Sequence, residues 1–171
     1  SISNHELEPC RNDVVHTFNE GCYFSPEVFS SIEFGQSIYG TFSTFVSSVD
    51  RTYEIDTDWF QFHHDGGPVM ASLVSDHPSV LSIVSGFDDG GQCPTDTAVN
   101  VISYGFERNG NSNLFVSGNL PAGYYALFVS PSIYIGLECN DHTEFTYIVT
   151  LYDNFLYDYL PPLDDTVGGN N

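Results

Sequence analysis

Closely spaced acids are the groups in this chain best suited to chemistry. Glu6-Leu-Glu8, Asp56-Thr-Asp58, Asp88-Asp89 and Asp164-Asp165 each set two carboxylates one or two residues apart. Carboxylates at i and i+2 on extended backbone are a grip for hard cations such as Ca²⁺. The chain holds 23 Asp and Glu, three Arg (Arg11, Arg51, Arg108) and no Lys, for a formal charge of −20. With so few cationic partners, the acids cannot form ion-pair networks. Repulsion of this size destabilises a compact fold unless counter-ions or bound cations offset it. The plainer alternative is solvated surface charge. A second candidate cation loop combines Asp88, Asp89 and Asp96.

Other reactive constellations are sparse. The sequence holds no Gly-x-Ser-x-Gly, no His-Glu-x-x-His and no Gly-rich phosphate loop. His63-His64-Asp65 is the densest local cluster. Neighbouring residues on a strand point to opposite faces, so His63 and His64 do not easily share one metal. Two carboxylates can serve glycoside hydrolysis, but 23 acids make such pairs available by chance. The expectation is therefore a protein that is not an enzyme. So acidic a surface is also a poor partner for nucleic acid, and no apolar run reaches the roughly 20 residues that span a bilayer.

The four cysteines favour an oxidising compartment. Three connectivities are possible for Cys10, Cys22, Cys93 and Cys139. Sequential pairing, Cys10 with Cys22 and Cys93 with Cys139, is expected, because each bond then joins nearby loops or a loop and a strand end. A four-Cys zinc site is the rival, and it lacks any Cys-x-x-Cys pair. The chain starts at Ser1 rather than Met, the expectation for a secreted protein after cleavage of its leader.

The elements that must hold these groups read as strands. Alternation at period two recurs over residues 37–45, 58–62, 69–75, 79–85, 99–106, 113–117, 123–130 and 145–151, the first broken at Gly40. In the second, Trp59 or Phe60 faces inward with Phe62. Gly, Asn, Asp and Pro turns separate the runs. The pattern predicts an all-β, antiparallel β-sandwich of seven to nine strands, with jelly-roll and immunoglobulin-like orders both open. One domain spans residues 1–152, including a loop-like acidic segment over 1–35, and a tail follows over 153–171.

A family resemblance lies in five stretches. They are Glu6-Leu-Glu8-Pro9, Ile38-Tyr-Gly40, Asp56-Thr-Asp58-Trp59-Phe60-Gln-Phe62, Leu120-Pro-Ala-Gly123-Tyr124-Tyr125-Ala-Leu127-Phe-Val129 and Phe145-Thr-Tyr147-Ile-Val149-Thr-Leu151. In this order they resemble the bacterial pre-peptidase C-terminal domain, over roughly residues 5–152. The Cys10 and Cys22 loop resembles a cysteine-bearing version. The resemblance implies a secreted β-sandwich, often appended to proteases and collagenases. It also implies Ca²⁺ held between an N-terminal acidic pair, here Glu6 and Glu8, and a second pair, here Asp56 and Asp58. The family's next Asn and Asp fall on Cys10 and Arg11, so Asn12 and Asp13, two residues later, are the substitutes.

The tail carries a further pattern. Phe155, Tyr157 and Tyr159 alternate with Leu156, Asp158 and Leu160, and Pro161-Pro162 follows. Such a strand is too apolar to stay free in water, and it lies beyond the last family-like strand. Two functions follow. One is a non-catalytic, Ca²⁺-stabilised extracellular protein that self-associates into a filament or surface assembly, using Phe155 to Leu160. The other is a carbohydrate- or protein-binding module of a larger secreted enzyme.

Overall fold

Hydrophobic alternation becomes two stacked sheets in the computed structural model, which describes residues 3–5, 19–23, 27–95, 99–139 and 144–153. Twelve strands follow in order: β1 Ser3–His5, β2 Ser30–Ser31, β3 Gln36–Phe42, β4 Thr44–Val46, β5 Tyr53–Ile55, β6 Asp58–His64, β7 Gly67–Ser75, β8 Ser79–Ser85, β9 Asn100–Glu107, β10 Ser112–Leu120, β11 Gly123–Pro131 and β12 Phe145–Leu151. One sheet has the order β1-β3-β12-β7-β10, the other β2-β6-β11-β8-β9, and β4 pairs with β5 in a small ribbon. The long strands pair antiparallel, while the short β1 and β2 add in parallel at the edges. Ser3 lies opposite Ser37 on one side of β3, and Leu151 lies opposite Gln36 on the other.

The expected sandwich is therefore present, and the eight long strands are those the alternation marks. The short strands were not expected. β1 and β2 fall in the segment read as loop, because two or three residues carry no readable period. The predicted break at Gly40 is also corrected. Gly40 pairs with Tyr147 inside β3, and the interruption falls at Ser43, where the chain leaves its sheet to join the β4–β5 ribbon. There the Ser43 carbonyl accepts the Asp56 N–H at 2.9 Å.

Residues from both sheets fill the space between them. Phe42, Phe60, Leu73, Leu81, Ile83, Leu127, Tyr147 and Val149 are all fully buried there. A second, smaller cluster lies on the outer side of β6, β11 and β8. It joins Trp59, Val84 and Ala126 to Cys22, Phe29, Phe87, Val99 and Phe128. Phe60 thus faces the other sheet, while its neighbour Trp59 faces out and is covered by loops.

The loop over Trp59 is stapled by a Cys22–Cys93 disulfide, with the sulfurs 2.06 Å apart. This overturns the expected sequential pairing, since Cys22 cannot also bond Cys10, nor Cys93 Cys139. The reason is topological: the second cluster brings residues 71 positions apart in sequence side by side. Cys139 is disulfide-bonded too. Cys10 lies outside the described residues.

Candidate functional site

The turn between β5 and β6 buries its polar residues. Asp56, Thr57 and Asp58 are at most 4% exposed, and Asn19 and Glu20 at most 2%. Backbone bonds fix the arrangement: the Trp59 N–H donates to the Asn19 carbonyl at 2.9 Å. The Tyr147 hydroxyl donates to Asp58 Oδ2 at 2.6 Å. The Asn19 amide donates to Ser30 Oγ at 3.2 Å. Asn19, Glu20, Asp56 and Asp58 each take part in further interactions. Burying a carboxylate is costly unless positive charge or several donors compensate it. Two buried acids two residues apart, Asp56 and Asp58, therefore make this turn electrostatically demanding.

Of the residues expected to bind Ca²⁺, Asp56 and Asp58 come together here. Glu6, Glu8 and Asp13 lie outside the described residues. Among the described residues no three His, Cys, Asp or Glu gather as a metal site. Asn19 and Glu20 were not anticipated, because a single Asn-Glu before a glycine carries no motif.

The second candidate loop behaves differently. Asp88 Oδ1 accepts the N–H groups of Gly90 and Gln92 at 2.9 and 2.8 Å. That carboxylate caps its own turn, as Asp commonly does before glycines. Asp89 is exposed, and Asp96 lies outside the described residues, as do Phe155, Leu156, Tyr157, Tyr159 and Leu160.

An open groove of about 310 Å³ runs beside this loop, lined in part by His63, Phe87, Asp89 and Tyr124. The His63 ring meets Tyr124 edge-on, with centroids 4.9 Å apart. Its Nδ1 lies 3.7 Å from Asp65 Oδ1. His64 points the other way, is buried, and its Nε2 lies 3.0 Å from the Gly67 carbonyl. The two imidazoles are on opposite faces, as alternation requires. Beyond the groove, Tyr23 stacks edge-on against Trp59 and Phe128. Partial burial, aided by neighbouring Tyr134, raises the Tyr23 phenol above its usual pKa.

No protein-family model and no curated protein matches this chain. Among solved structures it is similar to the pre-peptidase C-terminal domain of a collagenase from Bacillus anthracis. The two are 16% identical, with a TM-score of 0.41, over 74% of this chain and 96% of that domain.

Proposed function

We propose that this chain is a non-catalytic extracellular β-sandwich, stabilised by Ca²⁺ at the Asp56–Asp58 turn, and that it self-associates. The burial of Asp56 and Asp58 at one turn, with the Asn19 carbonyl bonded to the next residue's N–H, carries the reading. Ca²⁺ takes six to eight oxygens, and Glu6, Glu8 and Asp13 are the further ligands. The disulfide chemistry of Cys22, Cys93 and Cys139 supports an oxidising, extracellular setting. Self-association rests on the aromatic alternation of residues 155–160.

Thermal melts with Ca²⁺ and with chelator test the first part. A ligand that binds only the folded state, at 100 times its Kd, adds about 2.7 kcal/mol. Ca²⁺ should raise the Tm of the natural protein and leave Asp56→Asn unmoved. Identical melts, with no heat of Ca²⁺ binding in calorimetry, sink the cation. For assembly, light scattering in Ca²⁺ should show multimers that deletion of residues 154–171 weakens.

The groove favours a second reading, a carbohydrate-binding module. Tyr124 and Phe87 offer ring faces, and His63 and Asp89 offer hydrogen bonds, a composition suited to sugars. Tyr124-dependent retention on an insoluble polysaccharide by a monomeric protein would favour that reading.

A further inference from the structure

Cys22 is bonded to Cys93, and Cys139 is disulfide-bonded as well. The sequence holds four cysteines, so within one chain Cys10 is the sulfur left for Cys139. Such a bond has a place to act, because Cys139 lies close to the Asp56–Asp58 turn. Leu137, two residues before it, is buried and exchanges two hydrogen bonds with Thr44. The Leu137 carbonyl accepts the Thr44 N–H at 3.0 Å, and the Leu137 N–H donates to Thr44 Oγ1 at 3.0 Å. Thr44 lies opposite Ile55 in the β4–β5 ribbon, and its neighbour Ser43 accepts the Asp56 N–H. Leu137 and Asp56 are thus bonded to adjacent residues.

The segment that carries Cys10 is anchored around the same turn at both ends. On the entry side, β1 runs parallel to β3 with His5 opposite Tyr39, so it points toward Ser43, farther along the chain. From the level of Tyr39 to Ser43 is about 13 Å of strand, and the chain from His5 to Cys10 reaches at most about 17 Å. On the exit side, the Asn19 carbonyl accepts the Trp59 N–H, next to Asp58. Glu6, Glu8 and Asp13 fall between these anchors in sequence. A segment tied only at its ends must be ordered before its carboxylates can meet one cation. A crosslink in its middle removes part of that cost in advance.

We propose that a Cys10–Cys139 disulfide presets the N-terminal carboxylates at the Asp56–Asp58 turn, so that the cation site is complete only in the oxidised chain. This rests on the Ca²⁺ reading above and adds its redox control. Reduction by a dithiol breaks the S–S bond. Two electrons and two protons convert it to two thiols, and the reductant leaves as a cyclic disulfide. The carboxylates are then no longer held at the turn, and affinity for Ca²⁺ falls. Coupling of this kind is reciprocal: Ca²⁺ protects the bond from reduction by the same factor by which the bond strengthens Ca²⁺ binding. A chain still reduced before export holds the cation weakly, and oxidation outside completes the site.

Peptide mapping of the non-reduced full chain tests the bond, and calorimetry with Ca²⁺ tests its effect. The expected map contains a peptide pair joined through Cys10 and Cys139. The double variant Cys10→Ser and Cys139→Ser should bind Ca²⁺ about tenfold or more weakly. Trp59 fluorescence checks that this variant is folded, since it leaves Cys22–Cys93 untouched. Glu8→Gln should weaken binding in the natural chain and change little in the double variant. In a dithiol titration of the natural chain, the Cys10–Cys139 bond should survive to about tenfold more reductant in Ca²⁺ than in chelator. If the double variant does not fold, this titration decides alone. A Cys139 that is free, or joined to a second copy, overturns the pairing. Equal Ca²⁺ affinity with and without the bond, or equal reduction with and without Ca²⁺, overturns the clamp and leaves the cation reading standing. An oxidised chain that binds no Ca²⁺ removes both.

Discussion

Trp59 and Phe60 are adjacent and both fully buried, yet they belong to different cores. Phe60 lies between the sheets, where each strand's inward residues meet those of the opposing sheet. Trp59 lies outside, under a loop closed by Cys22–Cys93. The first core follows from pleat and alternation alone. The second requires a staple, because a short loop buries too little surface to hold itself down. Among the described residues the opposite outer face, on β3, β12, β7 and β10, has no comparable lid, and its Val74, Phe115 and Ile148 stay exposed.

The largest test of this contrast is removal of the staple. The double change Cys22→Ala and Cys93→Ala releases a loop of 71 residues, worth about 4 kcal/mol in the chain-entropy picture. Trp59 is the sole tryptophan, so its fluorescence reports the outer core and circular dichroism reports the sheets. In urea the fluorescence transition should move below the dichroism transition. Coincident transitions would mean the two cores melt as one.

A smaller effect is expected at Gly21. Its φ is +55°, and an added Cβ would lie 2.3 Å from Trp59 Cδ2. Gly21→Ala therefore combines backbone strain with overpacking and should cost about 2–3 kcal/mol, read from the same fluorescence midpoint. A change confined to the sheets would contradict the assignment of Trp59 to the lid.

The smallest effect is expected at Tyr147→Phe, which removes a donor to the buried Asp58 carboxylate and keeps the ring. Hydrogen bonds to charged groups contribute about 1.5–3 kcal/mol. The loss should appear in urea melts and shrink when Ca²⁺ is present, because the cation then carries more of the carboxylate's charge. An equal loss with and without Ca²⁺ would separate Asp58 from the cation.

The eight long strands were legible because each carries an alternating run of five or more residues. So was the division between His63 and His64, which needs only the pleat. The cysteine pairing was not, because it depends on which loop crosses the outer sheet, and no local pattern encodes that. Trp59 was ambiguous for the same reason: a tryptophan under a lid and one between sheets give one alternation. Asp56 and Asp58 were readable as a pair, whereas Asn19 reaches their turn only through the fold. Asp88 was readable as a ligand, and its Asp-Asp-Gly-Gly context also makes it a turn cap, a role the acid spacing alone does not reveal.

The pairings on the two sides of β3 have a consequence for how the unit is strung. β1 begins and β12 ends at the same end of that strand, so the two points lie about 10 Å apart, two strand spacings. Ser3 and Leu151 thus share one pole of the molecule. Threaded into a longer chain, such a unit hangs as a side lobe, like a leaf on a stem. It adds bulk beside the chain and almost no reach along it.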